Sequence, residues 1–172
     1  MSHPLVEKIL SGDVAAQVRY AGARGVLPIS REDQIELWGC LRNDPEPEVR
    51  LAARENLVGV AASEWRVLLR EYPFRAEVFE FASRTLSRQD ELAAALLQNK
   101  ALPETEFAYL AGALRGGHLD QIIDYQSRLI RNPEAVIALL SNPAINASQA
   151  RRLFDLAEQF FREHSQIPAL FE

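Results

Sequence analysis

The sequence is poor in the residues that build disulfide, thiol or metal chemistry. It holds one cysteine, Cys40, and three histidines in 172 residues. A single cysteine cannot form a disulfide within the chain, which fits a reducing compartment. The neighbouring Trp38 and Leu41 favour a buried, unreactive thiol, because a cysteine nucleophile needs a nearby base and a positively charged setting.

The histidines also lack the spacing of a metal site. His3, His118 and His164 lie far apart in the sequence, and no segment carries His-x-x-x-His or Glu-x-x-His, the helical spacings that bring two metal ligands together. No glycine-rich loop leads from a strand into a helix, so both phosphate-binding fingerprints are missing. We therefore expect a protein without a metal, without a cofactor and without catalytic activity.

Long apolar runs and an excess of positive charge are missing as well. The longest uninterrupted apolar stretch, 57–62, is far too short to cross a bilayer, and residues 1–8 lack the pattern of a secretory signal. These features predict a soluble, cytoplasmic protein with no membrane partner.

The net charge of −5 and pI of about 5.3 disfavour nucleic acid, whose binding depends on Lys and Arg. Only two of the 19 basic residues are lysines, a bias typical of GC-rich bacterial genomes.

Helical periodicity dominates what is present. Apolar residues recur three and four positions apart nearly everywhere, and strand signals are almost absent. Ser30-Arg31-Glu32-Asp33 has the pattern of a capping box, with Ser30 as the N-cap. The pattern predicts helices over 3–11, 13–24, 31–43, 46–57, 63–71, 75–86, 89–98, 104–115, 119–131, 133–141 and 147–164.

A repeat of 43 residues relates three stretches of the chain. Four positions recur in register: Glu48, Glu91 and Glu134; Ala52, Ala95 and Ala138; Asn56, Asn99 and Asn142; and Val67, Leu110 and Leu153. We expect the glutamates near helix starts and the alanines where two helices approach closely. The asparagines follow helix ends, where Asn tolerates left-handed backbone angles and can cap the next turn. The Val/Leu/Leu position belongs to the core.

Two segments resemble a known class of helical repeat. The run Asp-Pro-Glu-Pro-Glu-Val-Arg-Leu-Ala-Ala at 44–53 and the turn Leu-Leu-Ser-Asn-Pro at 139–143 look like HEAT and armadillo-type repeats. The Asn-Pro turn is also similar to the leucine-rich repeat variant. The resemblance implies an all-α, right-handed α-solenoid of about three 43-residue, three-helix units in one domain over 1–172. The implied parts are N-terminal capping helices at 1–29, units at 30–72, 73–115 and 116–164, and a tail at 165–172.

Folds of this class usually bind other macromolecules along an extended surface. We therefore expect a non-catalytic adaptor or scaffold whose partner is another protein. If Val67, Leu110 and Leu153 face the core, the residues beside them form a ladder, which the resemblance places on the concave face. That ladder consists of Arg66, Tyr109 and Arg152, with Trp65, Arg70 and Arg151 nearby. These residue types are common in binding hot spots, although the aromatic residues are equally suited to a core.

The C-terminal helix offers a second candidate surface. Phe154 and Phe161 widen the apolar stripe of the helix predicted over 147–164, and an apolar tail containing Phe171 follows it. A terminal repeat normally has a polar outer face, because nothing stacks beyond it. Either the tail folds back as a cap, which we favour, or this end of the protein binds a second chain and forms a homodimer.

Two other function classes occur among proteins of similar fold. A HEAT-like DNA glycosylase needs a basic concave face and a pocket with an acid and aromatic residues, for which only Trp65 and Tyr109 are available. The acidic pI argues against that class. A tetrapyrrole lyase or chaperone is the other alternative, and no motif in the sequence distinguishes it.

Overall fold

The computed structural model describes residues 3–12 and 14–161, and at 159–161 it describes the backbone alone. All regular structure in these residues is helical, which confirms the all-α prediction. The elements are α1 Pro4–Leu10, α2 Ala16–Ala23, α3 Arg31–Leu41, α4 Pro47–Gly59, α5 Ala62–Glu71, α6 Ala76–Phe81, a π-helical turn Ala82–Leu86, α7 Asp90–Gln98, α8 Glu104–Ala113, α9 Gly117–Asp124, α10 Gln126–Arg131, α11 Pro133–Leu140 and α12 Ala147–Phe161.

Two of the predicted helices differ from the structure in their interior. The helix predicted over 75–86 is α6 followed by the π-helical turn, and the helix predicted over 119–131 divides at Tyr125 into α9 and α10. Neither break has a proline or a glycine to mark it in the sequence. The remaining helices lie within a few residues of their predicted bounds.

The predicted N-cap role of Ser30 at the start of α3 is confirmed. The Ser30 hydroxyl accepts a hydrogen bond from the Asp33 backbone N–H at 3.1 Å and donates to the Asp33 carboxylate at 2.8 Å. The other Asp33 carboxylate oxygen accepts from the His3 backbone N–H at 3.0 Å. The cap therefore also ties α1 to α3, since His3 is the N-cap residue of α1.

Helix pairing follows a regular order along the chain. The helices α4, α7 and α11 begin 43 residues apart at Pro47, Asp90 and Pro133, and they pack against α2, α5 and α8 respectively. A Cβ atom added at Gly112 of α8 would lie 3.6 Å from the Ala138 Cβ of α11. This contact confirms the predicted close approach of two helices at one of the repeated alanines.

Two of the three repeated asparagines hold the end of a neighbouring helix. The Asn99 side-chain amide donates to the carbonyls of Leu69 at 2.7 Å and Tyr72 at 2.9 Å, at the end of α5. Its side-chain oxygen accepts from the Ala101 N–H at 2.8 Å. Both carbonyls belong to the last turn of α5, where no donor within the helix remains for them. One side chain therefore fixes both the end of α5 and the turn after α7.

Asn142 makes the same set of hydrogen bonds one repeat later. Its amide donates to the Ala111 and Leu114 carbonyls at 2.9 Å each, and its oxygen accepts from the Ala144 N–H at 2.9 Å. Asn99 and Asn142 are 3% and 4% exposed. Water therefore does not compete for these bonds, and the pairs α5–α7 and α8–α11 are joined in the same way.

The structure corrects the predicted role of these asparagines in two respects. Asn99 has φ −73° and ψ 120°, an extended conformation rather than a left-handed one, and it caps a helix from another part of the chain. Asn56 lies inside α4, where its amide donates to the Ala23 carbonyl at 2.8 Å and to Ala52 in its own helix at 3.1 Å. The helix α4 continues past Asn56 to Gly59.

The prediction that Val67 belongs to the core is wrong. Val67 is 51% exposed, whereas Leu110 and Leu153 are buried. The cause is a shift of one residue, because α5 and α8 begin 42 residues apart while α7 and α11 begin 43 apart. The carbonyls bound by the two asparagines are also 42 residues apart. The extra residue therefore lies between α8 and α11, in the segment that contains α9 and α10.

We predict that Asn142→Ala destabilises the protein strongly. The change removes both donors from the carbonyls of Ala111 and Leu114, and two lost hydrogen bonds to buried groups should lower the free energy of unfolding by about 2–3 kcal/mol. Urea denaturation followed by circular dichroism measures the change. Asn43→Ala, at an exposed asparagine, is the matched control. Equal stability of the two variants would contradict the capping role.

Candidate functional surfaces

Trp65 is not available to a partner. Its side chain is 1% exposed and packs in the core against Phe74 and Phe81, with ring centroids 6.4 Å and 6.2 Å away. Trp65 occupies the buried side of α5 together with Leu69. Its prediction as a partner-binding residue is therefore wrong, and the alternative that it is a core aromatic is correct.

The predicted ladder of Arg66, Tyr109 and Arg152 is not in structural register. Because α5 and α8 begin 42 rather than 43 residues apart, Tyr109 occupies the position that corresponds to Val67. Arg66 is therefore not equivalent to Tyr109. Arg66 pairs with Glu91 of α7 at 3.2 Å, whereas Arg152 pairs with Asp120 of α9 at 3.0 Å. The two arginines therefore make different interhelical contacts rather than one repeated contact.

Tyr109 and Arg151 also differ in their surroundings. Tyr109 is half-buried, and the Arg84 guanidinium lies 4.4 Å above its ring, a cation–π contact. Arg151 is exposed on α12. Both can still contribute to a surface, but the structure does not bring them together.

The C-terminal helix α12 has one buried side, and Phe154 does not belong to it. Leu153, Leu156 and Ala157 are buried, whereas Phe154 is 43% exposed. The side chain of Phe161, together with His164, Phe171 and the tail 165–172, lies outside the described residues. Whether the tail is a cap or an interface therefore remains a prediction.

Two of the most exposed large apolar side chains among the described residues lie on α4. Leu51 and Val58 of α4 are 59% and 68% exposed. They are seven residues apart and so lie on one side of the helix, opposite the buried Val49, Ala53 and Leu57. We call the side that contains Leu51, Arg54, Glu55 and Val58 the outer face of α4. In the sequence, the apolar residues at 51 and 58 fall outside the helical spacing of 49, 53 and 57. This mismatch was the signal that could have indicated an exposed apolar face.

A groove lies beside this outer face, between α2 and the start of α4. Its volume is about 430 Å³. The lining combines apolar side chains, one aromatic ring and two carboxylates: Ala16, Gln17, Tyr20, Glu46, Pro47, Glu48 and Val49. We call it the α2–α4 groove. Sequence reasoning missed it, because the pairing of α2 with α4 joins segments about thirty residues apart.

A buried acid lies where the π-helical turn meets α8. Glu106 is 6% exposed. Burial raises the pKa of Glu106, and the Arg84 guanidinium, 3.9 Å from the carboxylate, lowers it in part. The fully buried Ser83 of the π-helical turn lies beside it. The site couples a titratable group to an irregular helix, but it holds no nucleophile activated by a base.

Cys40 is half-buried rather than fully buried. Burial raises the pKa of its thiol to about 12, with a smaller contribution from Glu77. The thiol therefore stays protonated at neutral pH and is a poor nucleophile. In the part of the chain that the structure describes, no group of three or more His, Cys, Asp or Glu side chains is arranged to hold a metal ion.

The comparisons with known proteins yield no relative. No protein-family model matches the chain, and no curated protein or solved structure matches it. Among the described helices, none combines the length and the apolar character needed to cross a membrane.

We predict that Glu106→Gln stabilises the protein more as the pH rises. At a pH below the ordinary glutamate pKa, Glu106 is protonated in both the folded and the unfolded state. As the pH rises toward the raised folded pKa, the unfolded state releases its proton first, and the wild type loses stability relative to the variant. The Tm difference between variant and wild type should therefore grow between pH 4 and pH 7, in scanning calorimetry.

The matched control is Glu55→Gln, which removes one carboxylate from the exposed outer face of α4. A Tm difference for Glu106→Gln that is flat or falls with pH would show that the Arg84 pairing outweighs the burial of the carboxylate.

Proposed function

We propose that the protein is a non-catalytic protein–protein interaction module, an adaptor or scaffold. In this proposal it is a right-handed, HEAT/armadillo-like α-solenoid of about three 43-residue units. The spacing of α4, α7 and α11 supports the repeat, as does the identical bonding of Asn99 and Asn142. Stacked helical repeats of this kind present long surfaces to their partners.

The observation that carries the proposal is the outer face of α4. This helix already buries Val49, Ala53 and Leu57, so the exposure of Leu51 and Val58 adds nothing to its packing. Complete burial of each exposed side chain against a partner would contribute about 1.5–3 kcal/mol. Ile137, 45% exposed, occupies the position of Leu51 two repeats later on α11, whereas the copy between them has the half-buried Ala94.

The ion pairs that the described arginines form favour a protein partner over nucleic acid. Arg19, Arg31, Arg66, Arg128 and Arg152 each pair with a carboxylate of a different helix or loop. Guanidinium groups that already have carboxylate partners contribute less to binding phosphates, which is the main source of nucleic-acid affinity. The burial of Trp65 also removes one of the two aromatic residues on which a glycosylase pocket depended.

The test is site-specific crosslinking in the cells that naturally express the protein. A photoreactive benzoylphenylalanine placed at Leu51 or Val58 should form a discrete adduct with one partner, which mass spectrometry identifies. The same group at Lys100, which is exposed at the end of α7, is the positional control. We expect the adduct at the first two positions and not at the control.

Binding of the purified partner completes the test. The double variant Leu51→Arg, Val58→Arg should bind it at least about tenfold more weakly, a loss of roughly 1.4 kcal/mol or more. Identical adducts at all three positions, or unchanged affinity of the double variant, would contradict a protein-binding role for the outer face of α4.

A further inference from the structure

We propose that the α2–α4 groove binds a basic segment of the partner protein, with an arginine or lysine side chain held between the Tyr20 ring and the carboxylates of Glu46 and Glu48. This inference rests on the proposed function and gives the partner a chemical character. It commits to a cationic peptide segment rather than to an apolar helix or a second copy of this chain.

The shape of the groove suits one long side chain. Ala16, Pro47 and the buried Val49 supply apolar walls, and the volume of about 430 Å³ is at the small end of ligand-binding sites. The methylene groups of Arg or Lys can lie along apolar walls while the charged end reaches polar groups at the rim.

Tyr20 gives the groove an aromatic surface for a cation. Its side chain is 36% exposed, and the face of a tyrosine ring attracts Lys and Arg. The Arg24 guanidinium lies 6.0 Å from the ring centroid, at the outer limit of that interaction. The ring is therefore accessible to a guanidinium and is only weakly engaged by the one nearby.

The two carboxylates of the rim form no ion pair among the described residues. Both of them, Glu46 and Glu48, are exposed. The nearby Arg19 is held by Asp44 at 2.8 Å, and Arg50 donates to the carbonyls of Asp44 and Pro45 at 2.6 Å and 2.8 Å. Arg19 also lies close enough to Glu46 for an electrostatic interaction, but its side-chain hydrogen bonds go to Asp44 and Val14, and those of Arg50 go to backbone carbonyls.

The N-terminus of α4 does not reverse the preference of the groove for a cation. A helix N-terminus carries roughly half a positive charge, which attracts anions, but two full carboxylates lie beside it. At the rim itself these two carboxylates outweigh the half charge of the helix N-terminus. Leu51 lies one turn beyond Pro47 and is 59% exposed, so an apolar residue that flanks the basic one can contact the outer face of α4.

The experiment is a titration of the ¹⁵N-labelled protein, followed by NMR, with the peptide acetyl-Ala-Leu-Arg-Leu-Ala-amide. A second peptide with Glu in place of Arg is the ligand control. We expect the Arg peptide to shift the amide signals of Ala16, Tyr20 and Val49, which line the groove, and the Glu peptide to leave them unchanged. The absence of shifts up to about 5 mM peptide, weaker than any useful affinity, would overturn the proposal.

Protein variants make the test specific to the groove. Glu46→Gln with Glu48→Gln should weaken binding at least fivefold, while Arg24→Gln should strengthen it by removing a competing cation from Tyr20. Glu134→Gln is the matched control, because Glu134 is the exposed first-turn acid at the same repeat position as Glu48 and lies outside the groove. Equal weakening by Glu134→Gln would reduce the effect to overall charge and overturn the proposal.

This test and the crosslinking test can fail independently. A partner that depends on Leu51 and Val58 but ignores the Glu46 and Glu48 variants would refute the groove and leave the interaction module intact. A peptide that binds the groove while no partner is captured at Leu51 or Val58 would refute the outer face of α4 as the partner surface.

Discussion

Buried carbonyl groups at helix ends must find hydrogen-bond donors, and in this protein two asparagine side chains supply them. Asn99 and Asn142 each donate to two carbonyls of a neighbouring helix and accept from the backbone of their own turn. A three-point connection of this kind defines the separation and the angle of two helices, because a hydrogen bond weakens steeply outside a narrow range of geometry. The pairs α5–α7 and α8–α11 are the result. The first pair, α2–α4, has one such bond between helices, from Asn56 to Ala23.

The different bonding of Asn56 occurs in the same helix, α4, that carries the exposed apolar face and lines the α2–α4 groove. With Asn56 inside the helix, α4 runs to Gly59 and carries Val58 beyond the point at which α7 has already ended. The longer helix exposes two apolar side chains on its outer face, while its first turn forms one wall of the α2–α4 groove. The proposed interaction surface and the proposed site for a basic segment therefore both lie on α4, the helix whose asparagine is bonded differently from Asn99 and Asn142.

The helices could be predicted from the sequence because apolar spacing, prolines and the Ser30 cap are local signals. Their partners could be anticipated only in part. A repeated asparagine at 56, 99 and 142 indicates a shared role, but the acceptors of Asn99 lie 27 and 30 residues away, and no local pattern identifies them. One residue inserted between α8 and α11 made a constant repeat of 43 residues equate Val67 with Leu110, although its structural equivalent is Tyr109, and the predicted ladder is out of register for the same reason. The π-helical turn and the groove arise from packing between segments that are distant in sequence, and so they required the structure.

The most direct test of the asparagine connections is the rate at which their side-chain amide protons exchange with water, measured by NMR. The structure predicts slow exchange for Asn99 and Asn142, because both amides are buried and donate to two carbonyls each. Faster exchange is expected for the half-buried Asn56, and the fastest for the exposed Asn43. Exchange of Asn99 and Asn142 as fast as that of Asn43 would show that these side chains are open to water, and it would contradict the account of how the helices are joined.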